Sequence, residues 1–349
     1  MNLSMFSTSY LKKLKIYLVA AIVIFFLSSC KKTSQIPGTN PKKKPVTYVY
    51  VVGDTYTSKD VSVATYWKNS VSHLLVTDTT KSSLANGIAI KDTDVYICGA
   101  INGVATYWKN GLPVSVANNA IATGIFINGS DIYLIGETFL NGHDVATLWK
   151  NGIATILPDA SPMSNASSIF VNGNDVYIAG LSEPTFGDPY LVYWKNGVES
   201  QVSHSESQPS TISIAVNGSD LYLTGSSSYG NSAITQATYW KNGVPTILYN
   251  SVLNGVASAN VISIKDGNIY IAGSSNNKAA YWINGIEHDL TSSSLEYITT
   301  GLALSGTDIY TAGYSVNNNL LNAIYWKNDT MIVLSTRLSY ANGISIVQF

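Results

Sequence analysis

The feature that most constrains this chain is a phrase that returns seven times. In its fullest form it reads A-T-Y-W-K-N-G, over Ala105–Gly111, and each of the 7 tryptophans of the 349-residue chain sits in one copy. Trp67, Trp108, Trp149, Trp194, Trp240, Trp282 and Trp326 follow one another at steps of 41, 41, 45, 46, 42 and 44 residues. Self-similarity at a period of roughly 20–50 residues marks solenoids, propellers and arrays, because one such unit cannot bury its apolar face alone and needs neighbours to stack on.

The second repeat shows what each unit folds into. Gly87–Ile90 is a short apolar run, Lys91–Thr93 a turn and Asp94–Gly99 a second β-rich run. After a loop come Val104–Asn110 with the tryptophan, the tight Asn110-Gly111 turn and Leu112–Val116. Short β-branched or aromatic runs bounded by Gly, Asn and Asp are strands and hairpins. Asn-Gly is the strongest two-residue hairpin signal, since both central positions need positive φ. Each repeat is therefore predicted to be an antiparallel meander of four strands, A to D. Strand B recurs as Asp131–Gly136, Asp175–Gly180, Asp220–Gly225, Asn268–Gly273 and Asp308–Gly313, with a degenerate first copy at Tyr48–Gly53. These runs are apolar on both faces, which suits a strand lying between two other sheets. Small sheets stacked face to face around an axis supply that setting. The tyrosine of strand B and the Tyr-Trp pair of strand C would then bury on the order of 150–250 Å² each.

The predicted fold is all-β: a seven-bladed β-propeller of four-stranded blades. The first repeat begins at strand B, and the chain ends with Ala341–Val347, A-N-G-I-S-I-V, which matches the strand A stretch Ala85–Ile90. The last strand is expected to join the first blade and close the ring, which removes free sheet edges. A solenoid would instead need capping repeats. This strand order resembles kelch-type propellers over residues 46–349, although the kelch Gly-Gly doublet is missing: Gly99 precedes Ala100 and Gly225 precedes Ser226. No Trp-Asp dipeptide marks the WD40 class. The A-x-Y-W-K-N-G wording resembles repeat lipoproteins of Bacteroidetes-type bacteria, a resemblance that implies export.

The N-terminal segment carries its own address. Lys12, Lys13 and Lys15 precede Ile16–Leu27, twelve residues that are apolar except for Tyr17. A helix needs roughly 20 residues to cross about 30 Å of hydrocarbon, so this run reads as the apolar region of a signal peptide. Leu27-Ser28-Ser29-Cys30 resembles a bacterial lipobox. That resemblance implies cleavage before Cys30, a diacylglyceryl thioether on its sulfur and a lipid anchor at the outer membrane, on the periplasmic side or at the cell surface. Two acyl chains hold a protein stably where one does so only marginally. The expected organisation is a lipoprotein signal peptide at 1–29, the lipidated Cys30 with a flexible linker to residue 45, and the propeller at 46–349. The linker, KKTSQIPGTNPKKKP, has five lysines and little that could enter a core.

Charge narrows the partners. The chain has 20 basic and 21 acidic residues; three lysines lie in the signal and five in the linker, so the propeller stands at 12 − 21 = −9. Arg337 is its single arginine. Nucleic-acid binders need a basic stripe, so no nucleic acid is expected. Sialidase-type chemistry needs an arginine cluster, which is missing. His73, His143, His204 and His288 are isolated from other ligand residues, so no metal is expected. No G-x-S-x-G elbow occurs, and no cofactor is expected. Cys98 aligns with Val52, Ile135, Ala179, Thr224, Ala272 and Ala312, the place of a buried small hydrophobe.

In such a meander the A–B and C–D turns share one face, and the B–C and D–A loops the other. The first face is uniform: the C–D turns read KNG four times, with KNS, ING and KND, and aspartates 94, 131, 175, 220 and 308 recur beside lysines 68, 109, 150, 195, 241 and 327. Turn chemistry with local Asp–Lys pairing explains it. The second face varies, the span from the strand B glycine to the tryptophan being 14, 9, 13, 14, 15, 9 and 13 residues. Variable loops on a rigid frame are where binding resides. The candidate binding residues there are Phe139, His143, Asp144, Glu183, Phe186, Asp188, Tyr229, Tyr297 and Tyr314, with Tyr249, Glu296 and Tyr340 beside them. Aromatic, acidic and amide groups in company suit a glycan or a peptide. The reading is a monomeric, membrane-anchored, non-enzymatic binding module for a glycan, peptide or protein. Two alternatives stay open: a carbohydrate-active enzyme using Glu137, Asp144, Glu183 and Asp188, and a purely structural envelope protein.

Overall fold

The computed structural model describes residues 45–158, 161–185, 189–202, 207–228, 235–249, 256–291, 296–317 and 320–349, with main chain only at 207–212, 227–228, 249 and 317. The described residues form 28 strands in seven four-stranded antiparallel sheets. Blade 2 is typical: strands Ser83–Lys91, Asp94–Ile101, Val104–Lys109 and Leu112–Asn118 lie in sequence order. Blade 1 is the exception. Its A strand is the C-terminal Ser339–Gln348, which pairs with Thr47–Tyr56 from Thr47↔Gln348 to Thr55↔Ser339. Reciprocal main-chain bonds between Val46 and Phe349, 2.8 and 3.1 Å, fasten the end of that pair. The chain folds as a seven-bladed β-propeller closed by its last strand.

The core lies between blades. Blades 1 and 2 meet around Trp108, 2 and 3 around Trp149, 3 and 4 around Trp194, and 4 and 5 around Trp240. Trp282 serves blades 5 and 6, Trp326 blades 6 and 7, and Trp67 joins blade 7 back to blade 1. Every tryptophan is at most 1% exposed. This explains why the repeat keeps one tryptophan per unit: each interface needs one large wedge, and seven interfaces exist only if the ring is closed. Cys98 is fully buried in the blade 2–3 cluster, and burial pushes its thiol up to about 12. It is a packing residue.

Strand A carries a device the sequence does not announce. In each blade its register against strand B slips, between Ala85 and Gly87, Ala122 and Gly124, Ala166 and Ser168, Ala259 and Val261, Thr299 and Gly301, and opposite Val52/Gly53 in blade 1. Blade 5 slips between Ser210 and Ser213. A bulge bends and twists the strand that carries it. The bulge drives a carbonyl against the strand B glycine: a Cβ on Gly53, Gly99, Gly136, Gly180, Gly273 or Gly313 would lie 1.8–1.9 Å from the oxygen of Tyr340, Leu84, Ile121, Asn165, Ser258 or Ile298. That contact is the reason strand B ends in glycine.

Near the axis the bulges also tie the blades together. Asn342, Asn86 and Asn260 donate to the carbonyls of Ala85, Ala122 and Thr299 in the following blade, at 3.1, 2.9 and 2.6 Å. Thr123 and Thr300 donate to Ala166 and Ala341 at 2.5 and 2.6 Å. At the two remaining interfaces the direction reverses, the N–H groups of Ile214 and Ile262 donating to the hydroxyls of Ser168 and Ser213 at 3.2 and 3.3 Å. All seven interfaces are thus bridged, side chain to main chain, around a central channel of about 590 Å³.

Candidate functional site

The uniform face resolves into one bracket built repeatedly. In blade 3, Asn151 sits at φ 51° ahead of Gly152 at φ 82°, the conformation the tight turn requires. Its side chain accepts from Ile132 N–H at 2.8 Å and donates to Asp131 at 2.9 Å. Lys150 pairs with Asp131 at 2.8 Å and lies 4.9 Å over the Tyr133 ring. Lys150, then Asn151, hold the Asp131 carboxyl below its usual range. The same set recurs at Asp94, Asp175, Asp220 and Asp308. These aspartates are already engaged by neighbours in their own blade, so this ring is turn architecture. Among the described residues no group of three or more His, Cys, Asp or Glu is placed to hold a metal ion.

The variable face is uneven, and its densest chemistry lies on blade 3. Strands Asp131–Leu140 and His143–Lys150 run two residues past the neighbouring elements into a hairpin whose Asn141-Gly142 turn has φ 52° and 89°. Pairing sets Glu137 opposite Ala146 and Ile121, and Phe139 opposite Asp144. Side chains alternate across a strand, so Ile121, Glu137, Phe139 and Asp144 share one face of the blade. It is the face turned to blade 4, because Tyr133, Ile135 and Ala146 on it pack against Ile169 and Trp194. Phe139 is 55% exposed. Burial first, then the charges of Asp144 and Glu183, raise the Glu137 carboxyl above its usual range. Ile121 at the same edge and Met163, paired with Glu183 on blade 4, are each 36% exposed. The arrangement is an exposed aromatic and aliphatic surface set among three carboxylates.

The other expected residues go elsewhere. His143 pairs with Leu140, on the opposite face of the hairpin from Asp144. Tyr297 is core: it is 6% exposed, with its ring 6.0 Å from that of Trp326. Tyr314 borders the central channel and meets Tyr340 edge-on at 5.0 Å, and Tyr340 in turn lies 5.9 Å from Tyr56. Burial, then Tyr340 and Glu296, raise the Tyr314 phenol. Phe186, Asp188 and Tyr229 lie outside the described residues, as does Cys30.

Two residues on this face were passed over in the sequence. Asp54, the residue after Gly53, is 5% exposed and accepts from Ala85 N–H at 2.9 Å and from the Asn342 amide at 3.1 Å. Burial raises its carboxyl to about 6, against the lowering effect of those two bonds. The signal lay in the repeat itself: the residue after the strand B glycine is Asp54, Ala100, Glu137, Leu181, Ser226, Ser274 or Tyr314, and the two acids stand out in a column otherwise apolar or hydroxylated. Arg337 is the second, noted for charge alone.

No protein-family model matches the chain, and no curated protein matches it. Solved structures do. The β-propeller domain of the Trilobed protease from Pyrococcus furiosus superposes with TM-score 0.51 at 11% identity, covering 84% of this chain and 94% of that one. A puromycin-hydrolyzing peptidase of Mycobacterium tuberculosis gives TM-score 0.51 at 9% identity, covering 73% of this chain and 46% of that one. TolB from Acinetobacter baumannii gives TM-score 0.45 at 10% identity over 69% of this chain, which spans 63% of that protein. At such identities the likeness is one of fold. The Pyrococcus domain is described as having an open velcro topology; here the C-terminal strand is paired to Thr47–Tyr56 and the ring is shut.

Proposed function

We propose that this chain is a non-enzymatic interaction module, exported and anchored to the outer membrane through a lipid on Cys30, that holds a peptide segment on the blade 3–4 edge of its variable face. One observation carries the reading. Phe139, largely exposed on a rigid hairpin, stands on the same face as Glu137 and Asp144, within the field of Glu183. A large apolar side chain is left in water at an energetic cost, and carboxylates that raise one another's affinity for protons favour an incoming cation by the same interaction. A segment carrying basic residues beside apolar ones answers both. The lipobox-like Leu27–Cys30 and the lysine-bearing linker support the anchoring half of the proposal.

The binding half is tested by calorimetric titration with a peptide rich in lysine and leucine. Phe139→Ser should weaken binding roughly thirtyfold, as loss of an aromatic anchor does, and Glu183→Gln should weaken it and flatten its dependence on salt. Unchanged affinity in both variants would remove the site. The anchoring half is tested by the mass of the mature protein and its partition into detergent, both of which should change in Cys30→Ser.

One feature of the geometry favours a second reading. Glu137 is half-buried beside two further carboxylates, the surroundings that make a carboxyl a general acid, and glycoside hydrolysis uses such pairs. A carbohydrate-active enzyme would lose turnover in Glu137→Gln while keeping its substrate affinity; the binding module has no turnover to lose.

A further inference from the structure

The chain's only arginine lines a cleft of about 610 Å³ between blades 7 and 1, formed by the end of strand Thr330–Val333 and the following turn on one side and by blade 1 on the other. We infer that this cleft binds a hydroxylated monocarboxylate, of the class of uronic acids, with Arg337 as the carboxylate receptor. The inference is independent of the blade 3–4 reading, because the two places share no residue.

Four observations support it. First, Arg337 has no acid partner: no ion pair to it occurs among the described residues, and although the chain has 21 acidic residues none lines this cleft. An acidic propeller that keeps acids away from its single guanidinium leaves that group's charge uncompensated. The planar guanidinium fork matches a carboxylate through two parallel hydrogen bonds. One positive charge balances one negative charge, which favours a carboxylate over the near-doubly charged phosphate.

Second, the arginine is held in place from its main chain. Its N–H donates to Ser335 Oγ at 3.1 Å, and its carbonyl accepts from the Ser335 and Ser339 hydroxyls at 3.3 and 2.8 Å. The turn is fixed while the side chain stays exposed. Third, the hydroxyls of Ser72, Thr79 and Thr336 line the cleft and have no hydrogen-bond partner among the described residues, whereas Thr55 and Thr65 satisfy each other at 2.9 Å. Three free hydroxyls, each both donor and acceptor, suit a ligand that is itself hydroxylated. Fourth, Tyr56 and Trp67 border the space, and Leu74 and Val333 expose 55% and 50% of their surface at it. Aromatic and aliphatic walls with a few polar groups make a cleft of this size a small-molecule site, and the C–H faces of a pyranose would lie against them.

The test is heteronuclear NMR of the intact chain titrated separately with D-glucuronate, D-glucose and inorganic phosphate. Glucuronate should shift the Trp67 indole resonance and the amides of Thr57, Thr79 and Thr336 saturably. Glucose, which lacks the carboxylate, should bind at least about tenfold more weakly, the size of one charge-assisted pair, and phosphate should leave these signals alone. Arg337→Gln should weaken glucuronate at least about tenfold without moving the melting temperature, since the wild-type side chain makes no contact that the fold uses. The proposal is overturned if glucuronate leaves these resonances unmoved, if glucose or phosphate moves them equally, or if the response survives in Arg337→Gln. A Phe139→Ser chain should respond as wild type does, so failure here and failure of the blade 3–4 site are read separately.

Discussion

Asp54 departs furthest from the behaviour of its residue type. Its carboxyl is raised to about 6 by burial, despite two hydrogen bonds that favour the charged form. The unfolded chain releases that proton near pH 4, so between about pH 4 and 6 the native state holds more protons than the unfolded one. Stability from this group is therefore greatest below pH 4 and declines as pH rises to about 6, by on the order of 3 kcal/mol. Urea unfolding of wild type and Asp54→Asn at pH 4 and pH 7 should show the variant gaining on wild type as pH increases; a pH-independent gap would mean the carboxyl is already ionised at pH 4. The cost is balanced by position. Asp54 binds both the A strand of blade 2, through Ala85, and the closing strand, through Asn342, so it joins the seam to the next blade. The sequence shows the acid and its place in the repeat. Its burial depends on Asn342, nearly three hundred residues away, and no local pattern reports that.

At the scale of the element, strands were legible because their chemistry is local. The Asn-Gly turns, the alternating Tyr-Trp of strand C and the Asp-x-Tyr start of strand B predict blade 2 with boundaries close to the observed Ser83–Asn118 span of strands. The bulge in strand A was not legible. A slipped register is a relation between two strands, and its only trace in the sequence is the strand B glycine, which reads equally well as a strand end. Structure gives the glycine its reason: the Cβ of Gly136→Ala would lie 1.9 Å from the Ile121 oxygen. The substitution should cost more than about 3 kcal/mol, since main chain and not a yielding side chain must move, and should also disturb the Thr123–Ala166 bond to blade 4. A thermal melt within a degree of wild type would show the bulge to be adjustable. The candidate site was legible in part for the same reason. Phe139 and Asp144 are correctly paired because a two-residue hairpin fixes their register, whereas Tyr297, a residue later in a longer connection, is drawn into the core against Trp326.

For the whole molecule, function and stability rest on one geometric fact. Seven tryptophan-centred interfaces and seven axial hydrogen bonds form a circuit with no terminal blade, and the circuit passes through the pairing of Ser339–Gln348 with Thr47–Tyr56. The Arg337 cleft lies between blades 7 and 1, the pair this closure unites, and the Phe139 hairpin relies on the rigidity the ring provides. A closed circuit predicts that the blades unfold together, because opening any interface exposes apolar surface on two blades at once. The most direct test is differential scanning calorimetry of the chain and of a variant ending at Asn342, which lacks the pairing from Gly343 onward. The intact chain should melt in a single transition whose calorimetric and van't Hoff enthalpies agree, and the shortened chain should lose that transition, melting broadly or not folding. A shortened chain that melts as the intact one does would contradict the closed ring on which both proposed sites depend.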